Sequence, residues 1–68
     1  MTDLVKNVGK NIRSLRLSKN WTQEHLAHEA GLHRAYIGQI ERGEKNIGLK
    51  NLEIIATALG THPRKLLP

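Results

Sequence analysis

Apolar positions recur along this chain at helical spacing. Leu4, Val5, Val8, Ile12 and Leu15 form one stripe of a 3.6-residue period, while Lys6, Lys10, Arg13 and Lys19 lie mostly off it. The pattern predicts an amphipathic first helix ending near Lys19–Asn20, where Asn20 can take a left-handed conformation. Thr22 is suited to cap a second helix, and Glu24 suits its positive end. Leu26, Ala27 and Ala30 give that helix a short apolar face, and Gly31 stops it. Ile37 and Ile40 mark a third helix closed at Gly43. Gly48 then precedes Leu49, Leu52, Ile55, Ala56 and Leu59, a second clear helical stripe that Gly60 ends. Thr61 is read as the cap of a last short helical turn over 62–67, with Pro63 tolerated in its first turn. No β-branched run alternates at period two, so strands are not expected. The predicted fold class is all-α, a compact bundle of five short helices.

With 68 residues, 38% of them hydrophobic, the chain has material for one modest core, and residues 1–68 read as a single domain. There is no room for a substrate domain and a lid, which argues against a large cofactor enzyme. Cys is 0, which excludes disulfides and thiolate metal sites and fits a reducing compartment. Lys+Arg 11 against Asp+Glu 6 gives +5, a bias towards polyanions unless the charge serves only solubility. The start, Met1–Thr2–Asp3–Leu4–Val5–Lys6, has an early acid and no long apolar run, unlike a signal peptide. No stretch approaches the roughly 20 apolar residues of a membrane span. A soluble, cytoplasmic protein is expected.

The second and third predicted helices carry the chemistry. Thr22–Gly31 is followed almost at once by His33–Gly43. Small Ala27 permits close helix approach, Gly31 permits a sharp turn, and Ile37 and Ile40 hold the third helix down. That is the geometry of a helix-turn-helix, whose second member enters a DNA major groove.

At this point the chain resembles the phage-repressor/Cro, or xenobiotic-response-element, class of helix-turn-helix domains. The carrying stretches are Trp21-Thr22-Gln23-Glu24-His25-Leu26-Ala27, Tyr36-Ile37-Gly38-Gln39-Ile40-Glu41-Arg42-Gly43 and Leu52-Glu53-Ile54-Ile55-Ala56-Thr57-Ala58-Leu59-Gly60, in the family's order and over nearly the whole chain. Leu32-His33-Arg34-Ala35-Tyr36-Ile37 and Ile40-Glu41-Arg42-Gly43-Glu44-Lys45-Asn46-Ile47 are also similar to controller proteins of restriction–modification systems. The resemblance implies a lambda-repressor-like fold and a sequence-specific regulator of transcription that binds double-stranded DNA. It also implies that Arg16 and Glu41 form a structural ion pair between the first and third helices.

His33, Arg34, Ala35 and Gln39 are the candidate base readers. Arg reads guanine with two hydrogen bonds, Gln pairs with adenine, and a small Ala suits a thymine methyl. Gln39 lies further along and has a phosphate or a neighbouring side chain as its alternative; His33 has a phosphate or a weak helix cap. Candidate backbone contacts are Gln23, in the first turn of the second helix, together with Arg42, Lys45, Asn46 and Lys50 on a basic rim after the reader. Tyr36 joins them through the controller resemblance; its other reading is a half-buried ring at the core edge. Trp21 is read as core or as a hydrophobic staple. Two aromatics are too few for a base-stacking platform, which disfavours single-stranded and RNA targets.

No catalytic or metal constellation emerges. His28–Glu29 opens like HExxH, but Leu32 stands where the second His is needed. His25, His28 and His62 read as incidental, and no glycine-rich phosphate loop is present. The chain is expected to be a non-enzyme without cofactors. A basic amphipathic first helix on a membrane surface, and an antitoxin or interaction module of the same fold, are the competing classes. One module reads too few base pairs for strong specificity, so a homodimer on a pseudo-palindrome is expected. Its surface is assigned to Ile47, Leu49, Leu66 and Leu67, unless the last two close the core. Repression by blocking RNA polymerase and activation by touching it both stay open.

Overall fold

The computed structural model describes residues 3–68, so Met1 and Thr2, which entered the reading of the N-terminus, lie outside the described residues. Four α-helices follow one another there: α1 (Asp3–Ser18), α2 (Gln23–Ala30), α3 (Arg34–Glu41) and α4 (Leu49–Ala58). The expected fifth helix is a single 3₁₀ turn, Pro63–Leu66. Its bonds run from Lys65 N–H to the His62 carbonyl and from Leu67 N–H to the Arg64 carbonyl, at 2.9 and 3.3 Å. So short a segment closes i→i+3 rings and has no length for an α ladder. Its cap also differs from expectation. His62 Nδ1, rather than Thr61, accepts from the Arg64 N–H at 3.2 Å.

The other punctuation follows local chemistry. Asn20 takes φ 61° after α1. The Thr22 hydroxyl accepts from the His25 N–H at 3.0 Å and so satisfies one of the free donors of α2. Trp21, just before this cap, is half-buried against the core, and its ring meets the His25 ring at a centroid distance of 4.5 Å.

Ile12, Leu26, Ile37, Ile40, Ile55 and Leu66 are fully buried and draw on every element. Leu66 is held there partly because Asn11 Nδ2 donates to its carbonyl at 2.9 Å, tying the 3₁₀ turn to α1. The apolar stripes mislead at their ends. Leu4 is 53% exposed and Leu49 is 85% exposed, because each sits in the first turn of its helix, beyond the reach of the core.

α1 crosses α3 at Gly9, and no side chain fits there. A Cβ on Gly9 would collide with the Ile40 carbonyl oxygen and lie 3.0 Å from that of Glu41. The missing side chain lets the two backbones touch, and this contact sets the distance of α3 from the body of the protein.

Candidate nucleic-acid interface

α2 and α3 form the pair the sequence pattern outlined. Gly31, at φ 69°, closes α2, and the Leu32 N–H donates back to the Ala27 carbonyl at 2.9 Å. This left-handed turn redirects the chain into α3 within three residues. α3 buries Ile37, Gly38, Ile40 and Glu41. His33, Arg34 and Ala35, at its N-terminal end, are exposed, with Tyr36 and Gln39 half-buried beyond them.

The N-cap of α3 is His33, but its side chain makes no capping bond. The helix-cap reading of His33 is therefore dropped, and its imidazole lies at the exposed edge. Arg34 shares an open concavity with Arg16, Thr22, Gln23 and Glu24, so the edge that carries the candidate base readers adjoins the N-terminus of α2.

An ion pair fixes the attitude of α3. Arg16 Nε and Nη2 donate to the two Glu41 carboxylate oxygens at 2.7 and 2.9 Å. Both residues are buried, at 6% and 7% exposure. Arg16 Nη1 also donates to the Trp21 carbonyl at 2.7 Å. Gln23 Nε2 donates to Glu41 Oε1 at 3.1 Å, so the Glu41 carboxylate gathers α1, the start of α2 and the end of α3. The hydrogen bond from Arg16 to Glu41 raises the Arg16 pKa against the opposing effect of burial.

A helix-turn-helix family profile matches residues 12–66. The chain belongs to the helix-turn-helix family. It is 53% identical over 60 residues to the control protein C.BamHI of Bacillus amyloliquefaciens, an alignment spanning 87% of this chain and 74% of that protein. The restriction–modification controller protein C.AhdI from Aeromonas hydrophila superposes with a TM-score of 0.89 at 44% identity, over 91% of this chain and 94% of that one. A tetramer of the controller protein C.Esp1396I, solved with its natural 35 base-pair operator, superposes with a TM-score of 0.87 at 39% identity, over 90% of this chain and 80% of that one.

Within this helix-turn-helix, the backbone candidates divide. Lys45, Asn46 and Lys50 are exposed after α3. Lys45 Nζ stands 6.0 Å from the centre of the Tyr36 ring. The Tyr36 hydroxyl accepts from Asn51 Nδ2 at 2.9 Å, which pins the ring to α4 and leaves its O–H proton available to donate. Gln23 is half-buried and already donates to Glu41, so it brings less free capacity than a surface Gln would. Arg42 is paired with Glu44, Nε to Oε2 at 2.8 Å and Nη2 to Oε1 at 3.2 Å. This exposed pair raises the Arg42 pKa and holds the Glu44 carboxyl below the usual carboxylate range, in both cases chiefly through the hydrogen bond.

The four candidate dimer residues also divide. Leu66, at 0% exposure, is core and leaves the list. Its carbonyl anchor on Asn11 and its place in the 3₁₀ turn direct it inward. Leu49 and Leu67 are exposed, and Ile47 is half-buried. These three border a small apolar cleft with Leu4, Val5 and Leu52.

Three positioning residues escaped the sequence reading. Gly9 carries the α1–α3 contact, and an isolated Gly inside a helical stripe was the available signal. Gly38 lies under Arg42 and Gln23: a Cβ there would stand 3.0 Å from Arg42 Nη1 and 3.4 Å from Gln23 Oε1. Asn51 had no local signal, since its partner Tyr36 comes from another helix.

Proposed function

We propose that this chain is a sequence-specific regulator of transcription that binds double-stranded DNA as a homodimer and inserts α3 into the major groove of each half of a pseudo-palindromic operator. The observation that carries this reading is the exposed first turn of α3, with His33, Arg34 and Ala35 outward and the far end of the helix locked by the Arg16–Glu41 pair. A base reader must be both presented and held at a set angle, and this arrangement supplies both. The controller relatives support the reading, above all C.Esp1396I, which was solved on its operator.

In this mechanism Arg34 supplies two-pronged contact to a guanine, and Ala35 offers an apolar surface to a thymine methyl. His33 and Gln39 read neighbouring edges. Lys45, Asn46, Lys50 and the Tyr36 hydroxyl hold the phosphates and set the register; these contacts carry affinity but no sequence information. Two copies related by a two-fold axis address half-sites about one helical turn apart. The activity is binding rather than catalysis, its setting is the cytoplasm, and the Leu49–Leu67 cleft supplies the dimer surface.

Selection of bound duplexes from a random pool, paired with sedimentation of the protein, tests the reading. A two-fold-symmetric consensus bound by an even number of subunits is the expected result. Retention of duplexes without any preferred sequence at moderate ionic strength overturns it.

A further inference from the structure

Beside the concavity at Arg34 lies a second one, lined by Lys10, Arg13, Arg16, Gln23, Glu41 and Arg42. The two share Arg16 and Gln23, so they adjoin, one beside Arg34 and the other on α1. The charges in the α1 half are unbalanced. Glu41 is fully engaged by Arg16, and Glu44 pairs with Arg42 from the solvent side. Lys10 and Arg13, exposed and three residues apart on one face of α1, form no ion pair among the described residues. A concavity in which two unneutralised cations of α1 stand beside two paired arginines focuses a positive field and favours an anion.

We infer that this notch holds a phosphodiester of the duplex backbone, with Lys10 and Arg13 as its contacts from α1 and Glu44 as the carboxylate that the phosphate displaces from Arg42. The inference rests on the proposed DNA-binding function and extends its footprint to a helix whose polar face otherwise reads as plain solvated surface. A strand bordering the groove read by Arg34 passes the shared Gln23 and reaches the notch. The Gln23 amide gives one N–H to Glu41 and keeps a second for an incoming oxygen. Glu44 grips the Arg42 guanidinium through two oxygens, as a phosphate does, so it stands in for the ligand while DNA is absent.

The test is the affinity of the full chain for a random-sequence duplex, followed from low to moderate salt. Lys10→Ala and Arg13→Ala should each shallow the slope of log K against log salt by about 0.9. Lys65→Ala removes the same charge from the 3₁₀ turn, outside the notch, and should leave the slope unchanged. Glu44→Gln should tighten binding by up to about fivefold, the most an exposed pair is worth. Wild-type slopes in the Lys10 and Arg13 variants overturn the site, and equal losses in all three alanine variants reduce it to bulk charge. Unchanged affinity of Glu44→Gln removes the displacement step. Failure of the wild-type chain to bind any duplex sinks the proposed function itself. If Lys45→Ala flattens the slope while the α1 variants do not, only the notch is refuted.

Discussion

Arg16 and Glu41, 25 residues apart in sequence, meet in a two-pronged ion pair shut away from water. The pair joins α1 to the last residue of α3, at the far end of that helix from the exposed Arg34. It therefore controls the angle at which Arg34 is offered. Replacing one partner strands the other charge in a buried place, which costs about 3–5 kcal/mol. For a domain of this size each kcal/mol lowers the melting temperature by about 4–8 °C. Glu41→Ala should accordingly melt far below the parent and lose operator affinity. Arg16→Met combined with Glu41→Leu should recover much of the stability but not the affinity, because no charge is stranded while the reader angle is no longer fixed. Thermal melts and gel shifts on the three proteins check this, and unchanged melting of Glu41→Ala would show the pair to be dispensable.

Gly9→Ala sets two effects against each other. Alanine favours a helix interior by about 1 kcal/mol over glycine. Here the new methyl meets the Ile40 and Glu41 carbonyl oxygens, backbone atoms that cannot rotate aside. Overpacking of this kind costs about 1–3 kcal/mol or more, so the clash wins. The variant should be less stable by urea titration, and it should also bind operator more weakly, because α3 is pushed outward.

Arg34 and Lys45 should separate reading from gripping. Arg34→Ala is expected to cost about 1–3 kcal/mol on the selected operator and to relax preference at one base position. On random duplex its loss should be smaller. Lys45→Ala should weaken all duplexes alike and flatten the salt slope by about one unit. Competition binding with single-position operator variants distinguishes the two. Equal weakening of Arg34→Ala on operator and random DNA would remove it from the base readers.

These tests fall on residues that the sequence exposes to different degrees. α1 to α4 are legible because each carries an apolar stripe with a clear terminator, such as Gly31 or Gly60. Arg34 is legible because it opens a helix between a turn glycine and two core isoleucines. The 62–67 stretch is too short to show a period, so neither its 3₁₀ character nor the burial of Leu66 can be read from spacing. Leu4 and Leu49 belong to their stripes yet lie outside the core, because a stripe records direction around a helix and not how far along it the core extends. The Tyr36–Asn51 bond and the load on Gly9 arise only when separate helices meet.

Acid should act on Glu44 in a definite sense. Arg42 lowers its carboxyl pKa in the folded chain, so the pair's contribution is present above the unfolded-state value and is lost as pH falls through the folded one. Both side chains are more than half exposed, so the effect on stability is small and salt-screened. The clean readout is the side-chain carboxyl resonance of Glu44, which should titrate below its position in Arg42→Ala. High salt should bring the two midpoints together. Coincident midpoints at low salt would show that the pair does not persist in solution.

The proposed dimer surface offers a prediction that leaves the fold intact. Leu49 is 85% exposed and Leu67 46% exposed at the rim of the same apolar cleft. Neither closes the core, so a charge at Leu49 costs little in the monomer but must be desolvated in a dimer that covers it. Leu49→Asp should keep its helical circular dichroism and its melting profile at low concentration, yet sediment as a monomer. Losing the partner turns a two-site attachment into a one-site one, and the effective-concentration advantage of linked sites is about 10²–10⁴. Operator affinity should fall by that order, while binding to an isolated half-site barely changes. Leu17→Asp is the control, since Leu17 is 50% exposed but does not line the cleft. If Leu49→Asp remains a dimer, or if Leu17→Asp also dissociates, the cleft is not where the two copies meet.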